Sequence, residues 1–165
     1  MPVIELTTII HAPIERCFDL ARSIDLHIRT TAHTGEKAIA GTTTGLISLG
    51  ETVTWEATHF GIRQRLTSEI TKFRRPELFS DKMIKGAFKS IEHKHLFRIE
   101  NGKTILTDQF EYDVPFGFAG KLFDYFVLHT YMKKLLIHRN HQIKQAAESD
   151  DWKVYLAVNN NNYGK

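Results

Sequence analysis

The sequence predicts an α+β fold: a curved antiparallel sheet of about six to seven strands wrapped around one long C-terminal helix, with two short helices after the first strand. Three observations carry this. Six segments between Lys37 and Val114 alternate apolar and polar residues, the period of a half-buried strand, and most are joined by connections short enough only for hairpins. The stretch after Phe118 changes to helical spacing and keeps it for some thirty residues. Ahead of the sheet, one β-branched segment is followed by two brief helical patterns.

Val3 to Ile10 is β-branched and reads as a strand, and Pro13 suits the helix start that follows. Apolar residues recur at helical spacing over Ile14 to Ala21 and again over Ile24 to Ile28, with the break at Ser23-Ile24-Asp25. The alternating strands are Lys37 to Ala40, Glu51 to His59, Ile62 to Phe73, Leu78 to Ile84, Lys89 to Glu100 and Lys103 to Val114. They are punctuated by Phe60-Gly61, Arg75-Pro76, Lys85-Gly86 and Asn101-Gly102. Phe118 to Ala147, if one helix, is about 45 Å long and can cross a whole sheet. Leu122, Phe126, His129, Met132, Leu136 and Ile143 form its apolar stripe. WKVYLAV after Asp151 predicts a last strand or a surface segment, and NNNNYGK a mobile polar end. The division is one domain over residues 1–148 and an extension over 149–165.

Asn101-Gly102 sets a register, because both central residues of a type I′ turn need positive φ. Pairing Glu100 with Lys103 places Phe97 opposite Leu106, His95 opposite Asp108, His93 opposite Phe110 and Ile91 opposite Tyr112, all on one side. Carried through the turn at Gly86, the same face receives Phe79, Asp81 and Met83, with Asp81 diagonal to His93. The Phe60-Gly61 turn adds Val53, Trp55, Ala57 and His59 opposite Leu66 and Ser68. One apolar face thus carries His59, Asp81, His93, His95 and Asp108. Polar groups among apolar neighbours need partners and often mark a cavity.

With 165 residues, 42% hydrophobic content and 11 phenylalanines, the chain has enough apolar material for the core of one domain. A net charge of +3 from scattered basic residues gives no stripe for nucleic acid. The one cysteine, Cys17, excludes an internal disulfide and reads as a small buried hydrophobe. The N-terminus lacks the pattern of a signal peptide, so a cytoplasmic protein is expected. The segment Phe116 to Ile137 is interrupted by Lys121, Asp124, His129, Lys133 and Lys134, so no membrane span is expected.

This order of elements resembles the START-like, or SRPBCC, superfamily with its helix-grip, Bet v 1-like fold, over roughly residues 1–148. ETVTWEATHFG (51–61), DKMIKGAFKSIEHKHLF (81–97) and TDQFEYDVPFG (107–117) are similar to a bacterial branch of ligand-binding, polyketide cyclase/dehydrase-like members. That branch tends to have Glu, Pro and an aromatic where this chain has Lys82, Ala87 and Ile91, differences that bear on cavity shape. The resemblance implies a deep cavity between sheet and helix for a lipid, isoprenoid, sterol-like or polyketide molecule. No cofactor is implied, and the oligomeric state, monomer or homodimer, is left open.

The expected ligand-binding residues are Trp55, His59, Leu66, Phe79, Asp81, Ile91, His93, His95, Asp108, Phe110, Tyr112, Leu122, Phe126 and His129. Their aromatics would supply area and their polar groups would orient an oxygen-bearing end; the plainer alternative is that the aromatics fill a solid core. His95 with Asp108, helped by His93 and Asp81, also matches a base held by a carboxylate, the acid–base chemistry of related cyclases and dehydratases. A metal, through His-x-His with Asp81, His59 or Asp108, ranks last, since spacing alone is a weak signal and no Cys accompanies it. His11, His27, His33, His138 and His141 are expected on solvated loops or helix surfaces. The leading expectation is a non-catalytic binding or transfer protein. The enzyme stands second, and a partner-binding protein with a filled core third.

Overall fold

A computed structural model describes residues 2–156. The chain forms β1 (Val3–Ile10), α1 (Ile14–Ala21), α2 (Ile24–Thr30), β2 (Lys37–Gly41), β3 (Thr52–His59), β4 (Ile62–Arg74), β5 (Leu78–Lys85), β6 (Ser90–Glu100) and β7 (Lys103–Asp113). The helices α3 (Gly117–Phe123), α4 (His129–Glu148) and α5 (Trp152–Leu156) follow. The seven strands make one antiparallel sheet in the order β1-β7-β6-β5-β4-β3-β2. The two edges are therefore the first two strands of the chain, and α1 and α2 make the connection between them.

Local chemistry explains the boundaries. The Ser23 hydroxyl accepts the Leu26 amide at 3.2 Å and caps α2, which separates it from α1. Asn101 and Gly102 both have positive φ (50° and 72°), and Glu100 pairs with Lys103, Phe97 with Leu106, His95 with Asp108, His93 with Phe110 and Ile91 with Tyr112. Phe60 and Gly61 make the second such turn, at φ 52° and 73°, a conformation that Phe rarely adopts. A bulge between Ala38 and Ala40 in the edge strand ends at Gly41, where φ is +75° and an added Cβ would lie 2.1 Å from the Thr52 carbonyl oxygen.

Phe18 of α1 is the hub of one core cluster, edge-on to Phe73, Phe79 and Phe97 at 5.3–5.4 Å between ring centroids. Ile143 and Ala147 at the far end of α4 close it. A second cluster gathers Ile4, Ile91, Phe110, Tyr112, Val114, Leu128 and Leu136. Cys17 is fully buried, and burial pushes its thiol up to about 11.

Two expectations about the C-terminal part change. The predicted single helix from Phe118 is interrupted by a π-turn at Asp124–Leu128, which carries one residue more per turn than an α-helix. That residue shifts the phase of the stripe. Leu122 and Phe126, expected to face inward, are 49% and 68% exposed, while Leu128 and Leu136 are buried. After Asp151 the chain forms not a strand but the short helix α5, which lies at the surface with Val154 exposed and Tyr155 joining the first core cluster. Residues 157–165, with the polar end expected to be mobile, lie outside the described residues.

Candidate functional site

Between sheet and α4 lies a cavity of about 680 Å³, within the range of small-molecule sites. Its wall is largely apolar: Val53, Trp55 and Ala57 come from β3, Leu66 and Ile70 from β4, Ile91 and Phe110 from β6 and β7, and Leu128, Met132, Leu135 and Leu136 from the helix. It opens where lining residues are also solvent-exposed, at Phe60, Ile62, Phe116 and Phe123. Pairing of β5 with β6 ends at Lys82–Glu92, and Ala87 and Phe88 in the gap beyond also line the cavity. Of the three departures from the resembling branch, Ala87 and Ile91 thus shape the cavity, while Lys82 takes the outer face beside Glu92 at 3.5 Å.

Set into this wall is a compact polar group. His93 and His95, two apart on β6, share a face with ring centroids 3.9 Å apart. Asp108, opposite His95 on β7 and fully buried, is their common partner. Its Oδ1 lies 2.9 Å from His93 Nε2 and 2.7 Å from His95 Nδ1, the second approach lacking hydrogen-bond alignment. Asn140 of α4 donates to the other oxygen of Asp108 at 2.6 Å. Asp81 lies directly opposite His93 in the ladder, not diagonal to it, yet its Oδ1 comes within 3.6 Å of His95 Nε2. Phe79 stacks on His95 at 4.2 Å and Phe110 stands edge-on to His93 at 5.2 Å. The polar group therefore touches both core clusters.

Electrostatics follow from this packing. Burial, and then the neighbouring His95, depress the His93 imidazole to about 4 against the opposing pull of Asp108 and Asp81, so it is neutral near pH 7. Burial works against the charge of Asp108, but its contacts with His93 and His95 outweigh that and hold its carboxyl well below the usual range. Asp81 behaves alike: burial opposes ionisation, and the nearby His95, 3.6 Å away, together with His93 and Arg139, outweighs it and lowers the net value.

Of the expected ligand residues, Trp55, His59, Leu66, Phe79, Asp81, Ile91, His93, His95 and Phe110 line the cavity. Asp108 and Tyr112 sit behind the lining. The Tyr112 hydroxyl donates to buried Asp124 at 2.6 Å and lies 3.2 Å from His129 Nδ1, so His129 supports the helix turn instead of the cavity. Leu122 and Phe126 face away for the reason of phase given above. His59 is also apart from the polar group; its Nδ1 lies 2.8 Å from the Tyr131 hydroxyl. His27 is not simply solvated, since it stacks on Trp55 at 4.2 Å, approaches Glu36 at 3.1 Å and lines the cavity.

Arg139 was missing from the sequence expectation. It lines the cavity, donates through Nη2 to the Ala21 carbonyl at 2.8 Å, and holds Nη1 buried, without a hydrogen-bond partner, 3.9 Å from Asp108. A signal existed: between Leu136 and Ile143 the helical stripe passes through Arg139 and Asn140, a polar interruption that faces the polar group on the sheet.

Comparison with known proteins places the architecture. No protein-family model matches the sequence, and no curated protein matches it. Among solved structures, TTHA0849 from Thermus thermophilus superposes with a TM-score of 0.70 at 18% identity, covering 90% of this chain and all of that one. Ginseng major latex-like protein 151 from Panax ginseng gives 0.64 at 15% identity, covering 90% and 98%. Protein Ms6760 from Mycobacterium smegmatis gives 0.63 at 17%, covering 87% and 88%. The chain therefore has the helix-grip fold of the START-like and Bet v 1-like proteins. Among the described residues no helix is long and apolar enough to cross a membrane.

Proposed function

We propose that the protein binds and carries a hydrophobic small molecule, lipid, isoprenoid or polyketide-like, in the cavity between the sheet and α4. One observation carries the reading: a cavity of about 680 Å³ with a largely apolar wall and a compact polar group set into it, formed by Asp81, His93, His95 and Arg139. Apolar area supplies affinity for such a molecule and a few convergent polar groups fix its orientation. A solid core would have left no such volume, so the filled-core reading loses ground.

Native mass spectrometry of the purified protein, followed by organic extraction, tests this. A retained apolar compound of a few hundred daltons is the expected result. Protein that is empty and also fails to take up hydrophobic fluorescent probes would sink the proposal.

The second reading, a cyclase- or dehydratase-like enzyme, draws on one geometric fact. His95 stands between two carboxylates, 2.7 Å from Asp108 and 3.6 Å from Asp81, on the cavity wall. An imidazole so held can move a proton on a bound keto or hydroxy compound. Turnover of a β-hydroxy or β-keto substrate that disappears in His95→Gln, with ligand binding retained, would favour it over the carrier.

A further inference from the structure

We propose that Asp81, His93 and His95 form a binding site for a divalent transition-metal ion of the zinc class, with its remaining coordination positions turned towards the cavity.

The geometry begins in the sequence. His-x-His on β6 sends both imidazoles to the inner face, and the β5–β6 register brings Asp81 directly opposite His93. One ligand atom from each of the three residues can be chosen so that all lie within 4.8 Å of one another. A tetrahedral zinc with bonds of about 2.0–2.1 Å needs donor–donor separations of about 3.4 Å. The edge between His95 Nε2 and Asp81 Oδ1, at 3.6 Å, is already near that value. For the three ligand atoms that meet that span, the other edges close by at most about 1.4 Å, the difference between 4.8 Å and that separation. Asp81 is the residue free to move, since its side chain is 23% exposed while those of His93 and His95 are 9% and 1% exposed.

The second observation is the support behind the donors. A metal-bound histidine ordinarily gives its other N–H to a carboxylate, which fixes ring and tautomer. Here one buried carboxylate, Asp108, faces both rings: it is hydrogen-bonded to Nε2 of His93 at 2.9 Å and lies 2.7 Å from Nδ1 of His95, where a small turn of the ring would align the bond. A proton on His93 Nε2 leaves that ring's lone pair on Nδ1, and a metal at His95 Nε2, the atom that faces Asp81, places the His95 proton on Nδ1 beside Asp108. Asn140 in turn holds Asp108 at 2.6 Å, and Arg139 at 3.9 Å offsets its charge. The donor set that remains is two neutral imidazoles and one carboxylate, a set that holds zinc or ferrous iron while leaving positions open. Two other acidic or imidazole groups that the sequence offered do not join it: His59 is engaged with Tyr131, and Asp108 sits behind the rings.

The metal site does not rest on the hydrophobic-ligand reading, because an ion alone is the probe. Tag-free, chelator-stripped protein is titrated with Co²⁺, followed by its visible d–d absorption, and Zn²⁺ is used to displace it. The expected result is one ion per chain, a spectrum of four- or five-coordinate cobalt, and a loss of affinity on the order of 100-fold in Asp81→Ala, the variant least able to disturb the fold. Asp108→Asn, provided its circular dichroism matches wild type, should lose about 10–100-fold while all three donors remain. The competing site is the surface pair His33 and His138, with ring centroids 5.3 Å apart, so His138→Ala should leave the titration unchanged. Absence of cobalt absorption, affinity that survives Asp81→Ala, or affinity that vanishes with His138→Ala overturns the proposal. Uptake of hydrophobic probes by the same stripped protein is measured separately, so failure of the metal site and failure of the carrier reading are told apart.

Discussion

Acidification from pH 7 to pH 5 should destabilise this fold through His93. In the unfolded chain its imidazole titrates near 6.5, whereas in the folded protein burial and His95 depress it to about 4. Between those values the unfolded state binds a proton that the folded state refuses, so stability rises with pH across the window and falls on acidification. The contribution is about 2 kcal/mol of lost stability at pH 5, tending to about 3 kcal/mol below pH 4. His93 is buried, so solvent screening takes little from this figure. His59, also depressed by burial, adds in the same direction. Below the carboxylate range Asp81 and Asp108, whose folded values are lowered, continue the loss as each protonates. The assay is urea unfolding at pH 7 and pH 5, with chelator present, on wild type and His93→Gln. The variant should lose about 2 kcal/mol less than wild type between the two pH values. Equal losses, within about 0.5 kcal/mol, would refute the assignment of the pH response to His93.

Three further outcomes follow from the packing. Tyr112→Phe removes the donor to buried Asp124, 2.6 Å away, and should cost roughly 1.5–3 kcal/mol in chemical denaturation; a cost near zero would mean that water replaces the hydroxyl. Gly41→Ala forces a Cβ to 2.1 Å from the Thr52 oxygen at φ +75° and should destabilise by at least about 2 kcal/mol in the same assay. Phe126→Ser, at a side chain 68% exposed, should stay within about 0.5 kcal/mol of wild type, while Leu128→Ala should lose about 2–5 kcal/mol. The opposite order would restore the uninterrupted helical stripe.

What could be read from the sequence depended on how local the determinant was. The β6–β7 register is carried by two residues, Asn101 and Gly102, whose positive φ leaves one pairing, so every residue opposite another from Ile91 to Tyr112 was legible. The inward polar group was legible for the same reason, being a matter of period two. The helix phase was not. A π-turn adds one residue without any compositional mark, and Asp124-Tyr125-Phe126-Val127-Leu128 looks like ordinary amphipathic helix. The shift carries directly to the site, since Leu122 and Phe126 share an uninterrupted stripe with Leu136 yet leave the cavity, whereas Arg139, beyond the turn, stays in phase with Leu136 and Ile143. The partner of His95 among two carboxylates was also beyond reach of the pattern, because it depends on side-chain rotamers: Asp81 lies across from His93 and reaches His95.

That single wide turn also divides the helix into two reading frames. Residues 129–148 are indexed to the sheet, and residues 117–123 are indexed to the mouth; the five residues between them are the splice. A one-residue deletion there, taken up by a return to the α pitch, would shorten the splice and leave residues 117–123 facing much as they do. The same deletion within residues 129–148, where the pitch is already α, would turn everything on one side of it by about 100° relative to the other. A change of length is thus absorbed at the wide turn and felt along the rest of the helix.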